Sequence, residues 1–269
     1  MRQRPGFARL LASVAMTAIL AAGLGGCQTM SDITGSISPR TSAAADTDPR
    51  HAVEVTGERY RADPKNAEAA LAYGQALRAS GQRSQAAAVL EQATIAHPGD
   101  KTLLAGYGRA LVDNGNFQQA LDVLNRAHSP DNPDWRILSV EGTALDQLGR
   151  HDEARRYYGS ALKIVPDEPT VLSNLGLSYV LSKDLPKAEE VLRRAYASAG
   201  ADARVRQNLA LVVGLQGRFA EAEQIVRADL PADEAAANVA YLKQMLSRKD
   251  DPRTASAGKM PVASLSRPQ

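Results

Sequence analysis

The sequence predicts an all-α fold: a solenoid of about five antiparallel helix pairs, closed at each end by a capping helix. Three observations carry it. Gly74, Gly108, Gly142, Gly176 and Ala210 follow one another at steps of 34 residues, and Ala86, Ala120, Ala154, Ala188 and Ala222 repeat the step twelve residues further on. Gly81, Gly115, Gly149 and Gly217 hold a third register, broken only by Lys183, and Ala93, Ala127, Ala161 and Ala195 hold a fourth. Aromatic residues make up only 4% of the 269-residue chain, so its core rests on small and aliphatic side chains. Self-similarity at a fixed period of this size is the signature of stacked repeats, each burying its apolar face against the next.

Taken in chain order, the first element is a leader. Arg2, Arg4 and Arg9 precede an apolar stretch from Leu10 to Leu24, which ends at Gly25-Gly26-Cys27. A basic start, a short apolar run and small boundary residues predict a signal peptide over 1–26. Fifteen helical residues reach about 22 Å, short of the ~30 Å hydrocarbon layer, which disfavours a permanent span. Leu24-Gly25-Gly26-Cys27 resembles a bacterial lipobox, with Gly25 a mild departure. The resemblance implies that Cys27 is acylated and becomes the mature N-terminus; ordinary secretion with cleavage near Ala22 is the competing reading. Gln28, rather than Asp, follows the cysteine, which by the same resemblance favours the outer membrane. Cys27 is the sole cysteine, so an intrachain disulfide, a four-cysteine zinc site and a CxxC pair are excluded. Residues 27–49, rich in Ser, Thr, Ala and Asp, read as a flexible tether.

Residues 50–66 follow as an N-terminal capping half-repeat, because Ala52 and Pro64 stand one period before Ala86 and Pro98. Five units cover 67–236: 67–100, 101–134, 135–168, 169–202 and 203–236. The period and its position types resemble the tetratricopeptide repeat (TPR), which implies a right-handed superhelix of paired helices A and B. On that resemblance the early small residue of helix A faces the alanine of helix B, and the glycine between the helices takes the left-handed backbone that ends helix A. Tyr73, Leu77, Tyr107, Leu111, Leu138 and Leu145 fill the space between, and Pro98 and Pro166 stop helix B. The usual tryptophan of helix A is replaced by Ala70, Leu104, Leu138, Leu172 and Arg206. Arg206 and Asp229 interrupt apolar and small registers, predicting a looser or partly exposed fifth unit. Residues 237–248 read as a C-terminal capping helix with Val239, Leu242 and Leu246 on one stripe, and 249–269 as a disordered tail.

Charge argues against a nucleic-acid surface. The chain carries 32 Lys+Arg against 30 Asp+Glu, and residues 1–26 hold three of the arginines and no acid. No unit has a net positive charge, so there is no basic stripe to track phosphates. No catalytic or metal-binding set emerges: His51, His97, His128 and His151 lack a second ligand at metal-like spacing. The glycines make no phosphate or dinucleotide loop. Asp152-Glu153 and Glu189-Glu190 stand where acids complement a helix start. The chain therefore reads as a non-enzymatic binding protein with no small-molecule substrate and no cofactor beyond a covalent lipid on Cys27.

In TPR geometry, several helix-A positions line a concave groove. Here they supply Arg78, Arg109, Arg136, Ser139, Thr143, Ser173, Asn174, Arg204, Gln207 and Asn208 as candidate peptide-binding residues. The arginines suit an acidic side chain or a C-terminal carboxylate. Asn174 and Asn208, one period apart, suit a two-rung ladder on an extended peptide backbone.

The run from Asp134 to Ala195, beginning DWRILSVEGTALDQLGRHDEARRYYGSALKIV, and the segment ARVRQNLALVVGLQGRFAEAE from Ala203 to Glu223 resemble the TPR lipoproteins of the tight-adherence (Tad/Flp) pilus assembly system, of the TadD type. That resemblance implies a pilotin-like scaffold, lipid-anchored at the periplasmic face of the outer membrane. Its implied partner is the Tad secretin or another pilus assembly component. General envelope or outer-membrane protein assembly is the alternative, and an enzyme subunit a more distant one.

Overall fold

The computed structural model describes residues 48–249. The signal peptide, Cys27, most of the tether and the tail beyond Lys249 lie outside the described residues.

Within them the chain forms twelve helices and no strand. The A helices are α2 (Ala67–Ala79), α4 (Lys101–Asp113), α6 (Trp135–Gln147), α8 (Pro169–Leu181) and α10 (Ala203–Leu215). Their B partners are α3 (Arg83–Ala96), α5 (Phe117–Ala127), α7 (His151–Ile164), α9 (Leu185–Ala197) and α11 (Phe219–Val226). Helix α1 (Pro49–Ala62) precedes them and α12 (Ala232–Lys249) follows.

Each A helix starts at a cap that recurs at the repeat period. Asn66, Asp100, Asp134 and Asp202 accept backbone N–H bonds from the first turn of α2, α4, α6 and α10. These caps satisfy donors that have no partner inside the helix. In α8 the role falls to Pro169, whose ring fixes the first helical φ and removes one such donor. Between A and B the chain turns through a left-handed residue, Gly81, Gly115, Gly149 or Gly217, at φ between 76° and 84°. Lys183 takes the same conformation at φ 63°, although it carries a Cβ that disfavours it.

The glycine register packs differently from the expected pairing with alanine. A Cβ on Gly74, Gly142 or Gly176 would stand 2.6, 2.5 or 2.5 Å from Leu90, Tyr158 or Leu192, and one on Gly108 would collide with Leu124. Side chains lean toward the N-terminus of their own helix. The large residue one turn after each helix-B alanine therefore reaches back and covers the glycine. The alanines Ala86, Ala120, Ala154 and Ala188 are fully buried beside it. In the fifth pair Ala210 replaces the glycine, and the covering residue shrinks to Val226.

The ends differ from the interior. One period before Leu90 and Ala93, α1 carries Thr56 and Arg59. These polar residues, with Asn66 and Glu68, line an open depression where a preceding A helix would pack. Tyr60 stacks on Tyr73, ring centroids 5.5 Å apart, and Gly57 abuts the same ring, which seats the cap. At the other end α11 stops after eight residues, and α12 starts at Ala232 rather than at Ala237. Pro231, placed just before it, suits a helix start and not a helix interior. The α12 stripe includes half-buried Val239 and Leu242, the latter against Gly214.

Candidate peptide-binding face

The backbones of consecutive A helices lie close along the array, α2 to α4, α4 to α6, α6 to α8 and α8 to α10, whereas those of consecutive B helices stay apart. The array therefore curves with its A helices on the inner side. Its A–A seams are bonded: Asn174 Nδ2 donates to Ser139 Oγ at 3.1 Å, and Asn208 Nδ2 donates to Ser173 Oγ at 2.8 Å. Each asparagine of the expected peptide ladder therefore also bonds the array itself. Each amide gives one N–H across the repeat boundary, because each asparagine lies next to the buried serine of the preceding helix A. The second N–H and the carbonyl oxygen of each amide remain for another partner.

The other candidate residues divide by environment. Thr143 is half-buried and donates to Ser139 O of its own helix at 3.1 Å. Gln207 is half-buried, and Arg204 stands well out in solvent near Asp202. Arg78 is tied to Asp113 at 2.6 Å, and Arg136 lies over the Trp135 ring at 4.4 Å. Arg109, half-buried on α4, has its pKa lowered first by burial, then by Arg78 and Arg136, against an opposing pull from Asp134. The three arginines therefore share one region of the inner face, whereas Arg204 and Gln207 belong to its far end.

Three tetratricopeptide-repeat family models match residues 77–139, 140–203 and 203–228, together more than half of the chain. The chain belongs to the tetratricopeptide-repeat family. No curated protein matches the sequence. Among solved structures the TPR array is similar to PilW, a widely conserved type IV pilus biogenesis factor, at 19% identity and TM-score 0.60, covering 71% of this chain and 90% of that one. It is also similar to a thermophilic TPR protein of Thermus thermophilus, at 22% identity and TM-score 0.59, covering 66% of this chain and all of that one. The APC/C hetero-tetramer Cut9-Hcn1 matches at 17% identity and TM-score 0.60, over 76% of this chain and 41% of that one. At these identities the likeness is one of fold. TPR arrays bind protein partners, and the fold is typically a non-enzymatic interaction scaffold.

Two polar clusters inside this TPR array are not legible from the repeat pattern. Glu141 is fully buried and meets His128 Nε2 at 3.1 Å, while Glu141 Oε1 and His128 Nδ1 have no hydrogen-bond partner. Burial raises the Glu141 pKa, with His128 opposing it. The signal in the sequence is a carboxylate in the register of Tyr73, Tyr107, Leu175 and Leu209, but spacing alone does not reveal His128 as its partner. In the second cluster Asp146 accepts from Tyr158 OH at 3.0 Å, Ser178 Oγ at 2.8 Å and His151 Nδ1 at 2.9 Å. Burial, then Asp146, pushes the Tyr158 pKa well up. Ser178 and His151 converge on the same oxygen of Asp146, and no hydrogen bond joins the two among the described residues. The arrangement pins α6 to α7 and α8.

Proposed function

We propose that this TPR protein is a lipid-anchored scaffold of tight-adherence pilus assembly. It captures a segment of another assembly component, the secretin being the leading candidate, on its inner A-helix face. The observation that carries the binding part is the bonded A-helix face. The Asn174–Ser139 and Asn208–Ser173 bonds join successive A helices, so the face meets a ligand preorganised. The pilus part rests on the sequence resemblance over Asp134–Ala195 and Ala203–Glu223, and the fold it shares with PilW is compatible with it. Acylation of Cys27 places the array at the periplasmic face of the outer membrane. More than one acyl chain gives durable anchoring, since a single chain binds only reversibly.

The test is made in the native host. Metabolic labelling with an alkyne fatty acid is expected to mark the wild-type chain, while Cys27→Ser abolishes the label and releases the protein from membranes. Deletion is expected to remove surface pili and deplete assembled secretin from the outer-membrane fraction. Unaltered labelling of Cys27→Ser removes the anchor from the proposal, and normal pili and secretin after deletion remove the pilus role.

A further inference from the structure

A capping helix closes a repeat array by turning a polar outer face to water. Helix α12 does only half of this. Ala235, Val239 and Leu242 pack against the array. Tyr241 is nevertheless 64% exposed and Met245 45% exposed, one turn apart on another side of the same helix. The other exposed large apolar residues among those described, Ile95, Leu148, Ile164 and Tyr196, are scattered over four separate stretches of chain. Single apolar residues at a surface are ordinary, whereas a contiguous pair on an end helix marks a contact surface.

The stripe that holds this pair has an order of its own. Glu234, Ala237, Tyr241, Met245 and Arg248 follow one another at steps of three, four, four and three residues, which keeps them along one side of α12. That spacing is symmetric about Tyr241. When the helix is reversed about Tyr241, the register of Glu234 falls on that of Arg248, and the register of Ala237 on that of Met245. Acid then meets base and small meets large at both ends, while Tyr241 meets its own copy. Glu234 and Ala237 are exposed, so both are open to such a contact. Lys243 stays outside it, since its Nζ lies 5.8 Å from the centroid of the Phe219 ring. In a two-fold pair each contact occurs twice, so a stripe that matches its own reverse is satisfied at every position by a second copy. Antiparallel helix dipoles add to the attraction.

We propose that α12 is a homodimer interface. Two copies of this chain pair their α12 helices antiparallel about a two-fold axis at Tyr241, with each Met245 over the partner's Ala237 and each Glu234 opposite the partner's Arg248. The contact is one helix wide, so the dimer is weak and concentration-dependent rather than permanent. It uses none of the residues named for the inner A-helix face, and each assembly carries two such faces.

The test is made with the full chain in intact cells of the native host, so that no detergent competes for the stripe. Two differently tagged copies are co-expressed, and one carries the photoreactive residue benzoylphenylalanine in place of Tyr241. Illumination is expected to give an adduct that holds both tags, and Met245→Asp in both copies is expected to abolish it. Glu234→Lys in both copies sets like charges against each other at two places and is expected to cut the adduct about tenfold. Glu234→Lys in one copy with Arg248→Glu in the other is expected to restore it, because each lysine or arginine then faces a glutamate again. Restoration in trans needs two folded chains, so a folding defect cannot imitate it. The absence of a two-tag adduct, an adduct with a different protein or with lipid alone, an equal two-tag adduct from exposed Ile95, indifference to Met245→Asp or to Glu234→Lys, or failure of the mixed pair to restore it overturns the interface. Each of these results leaves the reading of the inner face untouched.

Discussion

Arg206 and Asp229 form a two-pronged ion pair across the fifth helix pair, with Nε to Oδ2 at 2.6 Å and Nη2 to Oδ1 at 2.5 Å. They occupy the registers that hold Leu104 or Leu172 and Ala127 or Ala195 in other units. The pair is partly exposed, as the sequence suggests, but the two departures answer each other rather than loosening the repeat. Removing one partner strands the other charge near the core, while removing both restores the apolar pattern. Arg206→Leu and Asp229→Ala are each expected to destabilise by about 1–3 kcal/mol, and the double variant by less than their sum. A double-mutant cycle in urea measures the coupling.

Lys183 is the one residue of the A–B turn register that is not glycine, yet it keeps the left-handed backbone at φ 63°. Lys183→Gly removes the Cβ conflict at a helix end where glycine is the usual solution. It is expected to raise stability by about 1 kcal/mol, read as a higher melting temperature with an unchanged helical circular-dichroism spectrum.

Gly176 and Leu192 show how the glycine register works. A Cβ on Gly176 would lie 2.5 Å from Leu192 Cγ, so Gly176→Ala is expected to cost about 1–3 kcal/mol through overpacking. The fifth pair already combines Ala210 with Val226. Gly176→Ala with Leu192→Val copies that combination and is expected to recover part of the loss in equilibrium denaturation.

Glu189 on α9 accepts from Arg218 and Gln216 and pairs with Arg193, and its pKa falls to about 2, with the Arg218 bond the largest cause. A folded pKa below the unfolded one gives stability that is present above the unfolded value and is lost as pH falls toward the folded value. This contribution is therefore expected to be full at neutral pH and to fade between about pH 4.5 and 2. Glu189→Gln is expected to lose about 1–2 kcal/mol at pH 7, after allowance for solvent screening, and to approach wild type near pH 2. Denaturation across that range measures it.

The architecture was legible because the helix-pair period is written in residues whose size or backbone freedom the packing demands: Gly74 and its equivalents, the buried alanines and the turn glycines. Partner choice within that pattern was less so. Gly74 meets Leu90 rather than Ala86 because side-chain lean, not register, decides which residue covers a gap. Asn174 and Asn208 were identifiable as inner-face residues, but their bonds to Ser139 and Ser173 depend on how successive A helices nest. Arg109 was recognisable as a groove residue, yet the engagement of Asp113 by Arg78 and of Asp134 by the α6 cap is seen only in the structure. The early start of α12 was obscured because it breaks the period that predicts everything before it.

The central claim is that the inner A-helix face captures a protein partner. Photocrosslinking in intact cells of the native host reads this, with a photoreactive residue at Thr143 on the inner face and, as control, at exposed Ile95 on α3. A discrete adduct with a second protein is expected from Thr143, and none from Ile95. The same adducts from both positions, or an adduct from Ile95 alone, would contradict it.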